Sequence, residues 1–141
     1  MTMARKRRGQ LIHGWIPINK PSGWTSAQVN SKVRRILDAA KAGHGGTLDP
    51  MATGVLPIAL GEATKTVSYV MNGKKRYRFT ISWGEERTTD DLEGKITTIS
   101  CHRPTKQNIL MILPKFIGAI EQVPPNYSAI KLDGKRAYKL A

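Results

Sequence analysis

An acidic residue, Asp49, follows a glycine-rich stretch and comes directly before Pro50. Glycine allows a backbone to approach a ligand closely, and the glycines of this stretch are Gly43, Gly45 and Gly46. Pro50 favours an extended conformation of the residue before it, which restricts the direction of the Asp49 side chain. A carboxylate held in this way can act as a nucleophile, a base or a metal ligand. The alternative is a structural aspartate that only forms an Asx turn.

Two other kinds of site are conceivable for the same stretch: a phosphate-binding loop and a contact through His44. A phosphate-binding loop would need the pattern GxxxxGK[ST], which is absent, and Lys65 lies too far along the chain to complete it. His44 is a candidate contact to a phosphate or a base. No second histidine lies at a ligand spacing from His44, and Cys101-His102 has no partner motif such as Cys-x-x-Cys. The sequence therefore predicts no metal site.

Tyr77 is the second candidate, since it lies between Arg76 and Arg78. An aromatic ring can stack on a nucleic-acid base while neighbouring cations hold phosphates. However, apolar and polar residues alternate over 76–83, which predicts a strand. On periodicity alone, the favoured interpretation makes Tyr77 the first core residue of that strand and makes both arginines a solvated face.

The charge of the chain indicates a polyanionic partner. It has 23 Lys+Arg against 10 Asp+Glu, a formal net charge of +13, so nucleic acid is the first candidate and anionic membrane the second. Residues 1–10 form a basic arm, without the apolar stretch of a signal peptide. No run approaches the ~20 apolar residues of a membrane span. The single cysteine is compatible with a reducing compartment, so we expect a cytoplasmic protein with no membrane contact.

The positioning elements follow from periodicity and from capping residues. A helix is expected to begin at Thr25, which can form a capping box with Gln28, and another at Thr105, ending near Pro114. A further helix is expected over 62–71, and loop residues over 43–54. Strands are expected over 11–18, 55–60, 76–83, 95–100 and 117–123, with a hairpin from 127–131 around Asp133-Gly134. This order predicts an α+β fold with a mixed, largely antiparallel sheet and flanking helices.

Four segments, in order, share their pattern with one known family. Residues 19–26 are similar to its [DN]KPxGxTS turn, and residues 43–56 to its GHxGTLDPxATGVL signature, although Gly45-Gly46 is a double glycine where one position is usually another residue. Residues 75–94 and 122–131 match as well. Over about residues 11–141 the chain therefore resembles the bacterial tRNA pseudouridine-55 synthase family, of the TruB type.

The resemblance implies the isomerisation of uridine to pseudouridine, without metal or cofactor, on a uridine flipped out of its RNA loop. Asp49 matches the family's catalytic aspartate, which forms a covalent adduct or assists glycosidic cleavage; the sequence does not choose between the two. Tyr77 matches the active-site tyrosine that stacks on the target base, which reverses the preference from periodicity. His44 would border the flipped nucleotide, and Lys20 and Arg76 would contact the RNA.

The resemblance also implies the domain organisation. Residues 11–141 would be the N-terminal part of the pseudouridine synthase catalytic domain, an incomplete fold that lacks the C-terminal remainder and an RNA-binding domain. The expected partner is tRNA, through its T-loop, and the expected state is a monomer. Two functions remain open: an isomerase acting on uridine 55 of tRNA, and a non-catalytic RNA-binding fragment of that enzyme. A guide-RNA-directed enzyme and a ribosome-associated structural protein rank below these.

Overall fold

The computed structural model describes residues 9–121 and the backbone of two short strands at 131–132 and 135–136. The chain divides into two compact units, Met1–Arg76 and Tyr77–Ala141, each of which is described by itself. Within the described ranges, no helix has both the length and the apolar character required to cross a membrane.

The first unit is built on a three-stranded antiparallel sheet. Its strands are β1 (Gly14–Lys20), β2 (Ala42–His44) and β3 (Gly54–Leu60), in the order β1-β3-β2. The predicted strand at 55–60 is confirmed, whereas the first strand lies later than the predicted 11–18. Pairing explains the shift, since β1 is in register with β3 from Gly14↔Leu60 to Lys20↔Gly54. Residues 43 and 44, the start of the predicted loop over 43–54, belong to β2 because they pair with the other edge of β3.

Helix α1 (Ser26–Ile36) covers this sheet. The predicted capping box is confirmed: the Thr25 side chain accepts a hydrogen bond from the Gln28 backbone, and the Gln28 side chain accepts one from the backbone of Thr25. Val29 of α1 is buried against the apolar residues of β3. The core consists of Val29, Ala39, Leu56, Ile58 and Leu60.

The predicted helix at 62–71 is two shorter elements. A 3₁₀ turn covers Gly61–Thr66, and α2 covers Val67–Met71. The hydroxyl of Thr64 donates to the Gly61 carbonyl (2.7 Å), and that of Thr66 to the Ala63 carbonyl (2.9 Å). Such bonds from threonine to a carbonyl three residues back compete with regular helical bonding, which accounts for the tighter first turn.

The second unit contains the hairpin of β4 (Glu85–Arg87) with β5 (Ile96–Ile99), helix α3 (Lys106–Ile112) and the pair of β6 (Lys131–Leu132) with β7 (Lys135–Arg136). The α3 start is confirmed by a capping box between Thr105 and Asn108. Pro114 lies in a 3₁₀ turn, Leu113–Phe116, that follows α3, as expected from its missing N–H. The β6–β7 pair confirms the hairpin, although its turn residues and 122–130 lie outside the described residues.

The predicted strand over 76–83 is wrong, since these residues have no regular structure. A strand requires a neighbour for its backbone hydrogen bonds, and β5, the next strand in the chain after the hairpin turn, pairs with 85–87 and not with 76–83. The apolar alternation is therefore presented on a surface, with Tyr77 63% and Phe79 77% exposed. Residues 117–121, the described part of the predicted strand 117–123, also form no strand.

Candidate active site

The loop between β2 and β3 carries Asp49 at the surface of the first unit. Leu48, the residue before it, packs against the core, while Asp49 is exposed. The Asp49 carbonyl accepts a hydrogen bond from the Ala52 N–H (3.0 Å), which closes a turn through the main chain. Among the described residues, none hydrogen-bonds to the carboxylate, so the Asx turn is not formed here. The carboxylate is available to a ligand.

Ser26, at the start of α1, fastens the loop on the N-terminal side of Asp49. Its hydroxyl accepts a hydrogen bond from the Leu48 N–H (2.9 Å) and donates one to the Leu48 carbonyl (3.1 Å). Ser26 is 2% exposed, so neither bond competes with bulk water. Both polar groups of the residue before Asp49 are thus held by one side chain.

Lys20, at the end of β1, fastens the loop on the other side. Its side chain is 0% exposed, and Nζ donates to the carbonyls of Pro21 (2.9 Å), Trp24 (2.6 Å) and Pro50 (3.0 Å). A lysine ammonium has three donors, and all three are used here. Lys20 therefore has a structural role here and not the expected role of an RNA contact, because no proton of Nζ remains for a phosphate oxygen.

The turn that follows Lys20 adds two more bonds to the loop. The Gly23 N–H donates to the Pro50 carbonyl (2.8 Å), and the Ser22 hydroxyl donates to the Met51 carbonyl (3.2 Å). The Pro50 carbonyl thus accepts one hydrogen bond from the Lys20 side chain and one from the backbone of the turn that follows Lys20. The two sequence blocks at 19–26 and 43–56 meet at this point, and their residues hold Asp49 from both sides.

The structural requirement for glycine differs among the three glycines of this stretch. Gly43 lies in β2, where an added Cβ would have ordinary contact with Thr64. Gly45 is buried, donates its N–H to the Pro57 carbonyl (2.8 Å), and has Val70 so close that a Cβ would come within 2.9 Å of its Cγ1. Gly46 has open space but a φ of +135°. The double glycine therefore meets two requirements, one of space and one of backbone conformation.

His44 is half-buried at the end of β2, and its Nδ1 is hydrogen-bonded to the Gly46 carbonyl. A carbonyl can only accept, so Nδ1 carries the proton in this arrangement. The ring is thereby oriented by the same turn that leads to Asp49. The other ring nitrogen, Nε2, has no partner among the described residues and is available to a ligand.

Arg76 and Tyr77 lie at the division between the two units. Arg76 is the exposed last residue of the first unit, and Tyr77 is the exposed first residue of the second. The structure thus joins Lys20 to the residue after Asp49, and His44 and the loop glycines lie in the stretch of chain that leads to Asp49. It places Tyr77 in a separate unit. In the described ranges, no group of three or more His, Cys, Asp or Glu side chains could hold a metal ion.

Sequence reasoning missed Ser26 and Ser22 as site residues. Ser26 directly follows the N-cap Thr25, and this position suggested only the start of a helix. The available signal was its presence in the block 19–26, since capping alone does not require a second hydroxyl there. Its partner, Leu48, is 22 residues away, and such a contact has no local pattern.

Comparisons with known proteins show the family of this chain. The family model described as TruB family pseudouridylate synthase (N terminal domain) matches residues 34–141. The chain is 61% identical over 139 residues to the tRNA pseudouridine synthase B of Rhodospirillum rubrum, covering 99% of this chain and 45% of that protein. It is 58% identical over 141 residues to the enzyme of the same name from Bartonella quintana, covering 100% of this chain and 52% of that protein. The chain thus spans about half the length of these relatives.

A solved structure, the crystal structure of a Cbf5-Nop10-Gar1 complex, has a related fold. Its matching chain is 32% identical, with a TM-score of 0.56, and the match covers 84% of this chain and 31% of that chain. The predicted α+β class with antiparallel sheets is confirmed by the strand pairing and by this likeness. From the match over 34–141 and the block around Asp49, the chain belongs to the TruB family of pseudouridylate synthases, of which it represents the N-terminal domain.

Proposed function

We propose that this chain supplies the catalytic aspartate of a tRNA pseudouridine synthase, an isomerase that converts uridine 55 of the T-loop to pseudouridine. The observation that carries the proposal is the exposed carboxylate of Asp49 on a loop held at the residues before and after it. The names of the relatives from Rhodospirillum rubrum and Bartonella quintana support the substrate class. The net charge of +13 supports a polyanionic partner.

The reaction requires a carboxylate but no net change of oxidation state. The bond between N1 and C1′ breaks, a bond between C5 and C1′ forms, and the proton lost from C5 is balanced by one gained at N1. Asp49 acts near C1′ of the sugar and C6 of the base, either as a nucleophile that forms an adduct or as a group that assists glycosidic cleavage. Its fixed main chain keeps the carboxylate in position, since anchoring of a reacting group lowers the entropic part of the barrier.

The remaining site residues are proposed to bind the flipped nucleotide. Flipping costs a few kcal/mol of unstacking, which contacts to the extruded base must offset. His44 would contact the nucleotide through Nε2, Tyr77 would stack on the base, and Arg76 would hold a phosphate. Lys20 acts indirectly, by holding the Pro50 side of the loop. The enzyme is proposed to act as a cytoplasmic monomer, with residues 1–10 as a basic arm.

The test uses a chimera, because the chain covers 45% of the Rhodospirillum rubrum relative. In it, these residues replace the matching segment of that relative, and pseudouridine at position 55 of a tRNA transcript is measured. Asp49→Asn is expected to lower turnover by at least about a hundredfold, because the amide cannot act as a nucleophile or base. The matched control is Asp38→Asn, an exposed aspartate of the same unit, which should retain turnover. Full turnover of the Asp49→Asn chimera would exclude Asp49 from the chemistry.

A second function is a non-catalytic RNA-binding fragment, which the partial coverage of the relatives favours for the 141 residues alone. It predicts that the chain by itself binds tRNA, with an affinity that falls steeply with salt, and forms no pseudouridine. Turnover by the unextended chain would contradict it. Binding that does not respond to salt would contradict it as well.

A further inference from the structure

The outer face of α1 carries an open groove that the proposed chemistry does not use. The groove has a volume of about 490 Å³ and is lined by Trp24, Ala27, Gln28, Ser31, Lys32 and Arg35. These residues lie on the exposed surface of α1 and of the turn before it, whereas Val29 faces the core. From Ser26 to Arg35 the helix rises by about 14 Å, and Trp24 lies just before its N-terminus.

The chemistry of the lining favours a nucleic-acid strand. Trp24 is 41% exposed, so one end of the groove presents an aromatic surface. Lys32 and Arg35 are exposed at the other end, and no lining residue is acidic. An aromatic ring for a base together with cations for the backbone is the combination by which proteins bind unpaired nucleotides.

Arg34, which lies next to these cations, has a structural role and is not part of the groove. Arg34 donates from Nε to the Ala39 carbonyl (3.1 Å) and from its guanidinium to the Ala40 carbonyl (3.3 Å), so it caps the residues that follow α1. Lys32 and Arg35 have no side-chain partner among the described residues. Their charges face solvent and are available to phosphates.

We infer that this groove, the Trp24 groove, binds a single-stranded segment of the RNA substrate outside the nucleotide that is modified. One unpaired base stacks on Trp24, and the flanking phosphates bind Lys32 and Arg35. The amide N–H groups of Gln28, whose Oε1 is used in the capping box, and the Ser31 hydroxyl lie between them and offer hydrogen bonds to sugar or base edges. The inference rests on the proposed RNA substrate, yet it concerns binding and does not involve Asp49.

The aromatic contact is tested by the affinity of the chain for a fluorescein-labelled single-stranded oligouridine, measured by fluorescence anisotropy. Trp24→Leu is expected to weaken binding about tenfold, because a stacked base is lost. Trp24→Phe should retain most of the affinity. The control is Trp83→Leu, which removes a tryptophan of similar exposure, 43% against 41%, from the second unit. Equal affinities of the Trp24→Leu and Trp83→Leu variants would overturn the inference.

The charged contacts are tested by salt dependence. The double variant Lys32→Gln/Arg35→Gln removes two phosphate contacts, so the slope of log K against log salt should fall by about 1.4 in magnitude. The control, Lys106→Gln/Lys115→Gln, removes the same charge from exposed residues of the second unit and should lower the slope less. Equal slopes for both double variants would mean that only net charge matters and would overturn the inference, as would stronger binding to phosphatidylserine vesicles than to RNA.

Two further measurements distinguish a failure of the groove proposal from a loss of folding and from a failure of the proposed function. Urea unfolding of each variant shows whether it is folded; Trp24→Leu should be, because Lys20 contacts only the main-chain oxygen of Trp24. Pseudouridine formation by the chimera tests the proposed function. An inactive chimera with weakened binding in the groove variants would refute the function and retain the groove. An active chimera with unchanged binding in those variants would refute the groove alone.

Discussion

Lys20 and Pro50 are 30 residues apart in the sequence, and the Lys20 Nζ donates a hydrogen bond to the Pro50 carbonyl over 3.0 Å. The same nitrogen binds the carbonyls of Pro21 and Trp24. One buried side chain therefore joins the end of β1, the turn that follows it and the residue after Asp49. The loop is positioned by interactions that leave the Asp49 carboxylate free.

Lys20→Met is expected to destabilise the first unit by about 3 kcal/mol. Methionine has a similar shape, but it leaves the carbonyls of Pro21 and Trp24 without a donor, while the Pro50 carbonyl keeps its bond from the Gly23 N–H. An unsatisfied buried polar group costs about 1–3 kcal/mol. The measurement is urea unfolding followed by circular dichroism. Lys32→Met, on the exposed face of α1, should change the free energy of unfolding by less than about 0.5 kcal/mol. Similar values for both variants would show that the buried bonds contribute little.

Ser26→Ala should cost about 1–3 kcal/mol, because the Leu48 N–H and carbonyl lose their shared partner in a buried environment. In the chimera, turnover should fall more than tRNA affinity, since the substitution loosens Asp49 and leaves the RNA-contacting surface intact. Ser31→Ala, the same substitution on the exposed face of α1, is the stability control. An equal fall in affinity and turnover would contradict a specific effect on the loop.

Substitution of Gly43, Gly45 and Gly46 by alanine should lower the stability of the first unit by different amounts. Gly43→Ala is expected to change stability by less than about 0.5 kcal/mol, since its Cβ has room. Gly45→Ala should cost about 1–3 kcal/mol through overpacking against Val70, and Gly46→Ala about 1–2 kcal/mol through its positive φ. Thermal unfolding of the three variants tests the order. A value for Gly43→Ala as large as that for Gly45→Ala would contradict the packing account.

Asp91, in the turn between β4 and β5, should titrate below its ordinary range. The hydrogen bond from the Thr89 hydroxyl is the main cause of the lowered pKa of Asp91, and backbone N–H groups of Glu93 and Gly94 add to it. A carboxylate with a lowered pKa stabilises the folded turn above the unfolded pKa, and this contribution is lost as pH falls through the folded pKa. Thr89→Val should therefore raise the pKa of Asp91, as measured by NMR titration of the carboxyl carbon.

The control for this titration is Thr97→Val. Thr97 lies in β5, and its hydroxyl donates to the Glu86 carbonyl. Thr97→Val therefore removes a threonine hydroxyl from the same hairpin without removing a hydrogen bond to the Asp91 carboxylate. The pKa of Asp91 should be unchanged in this variant. A pKa of Asp91 that is the same in Thr89→Val as in the parent chain would show that the hydroxyl does not set it.

Several features were determined by residues close together in the sequence. The capping boxes at Thr25 and Thr105 depend on contacts across three residues. The sequence predicted the box at Thr25 and an N-cap at Thr105, and both helices begin at these residues. The glycines and Pro50 predicted a tight loop that presents Asp49, and Asp49 is exposed in such a loop. Each feature depends on short-range geometry, which a sequence pattern records directly.

The tertiary structure decided the environment of each side chain and the pairing of the strands. The positive charge of Lys20 suggested an RNA contact. In the structure Lys20 is buried, because carbonyls from a turn and from a distant loop accept hydrogen bonds from its Nζ. The residues at 76–83 alternate like a strand and do not form one, since pairing depends on a partner and not on the pattern alone. Contacts over 22 or 30 residues, as at Ser26 and Lys20, exist only once the chain has folded.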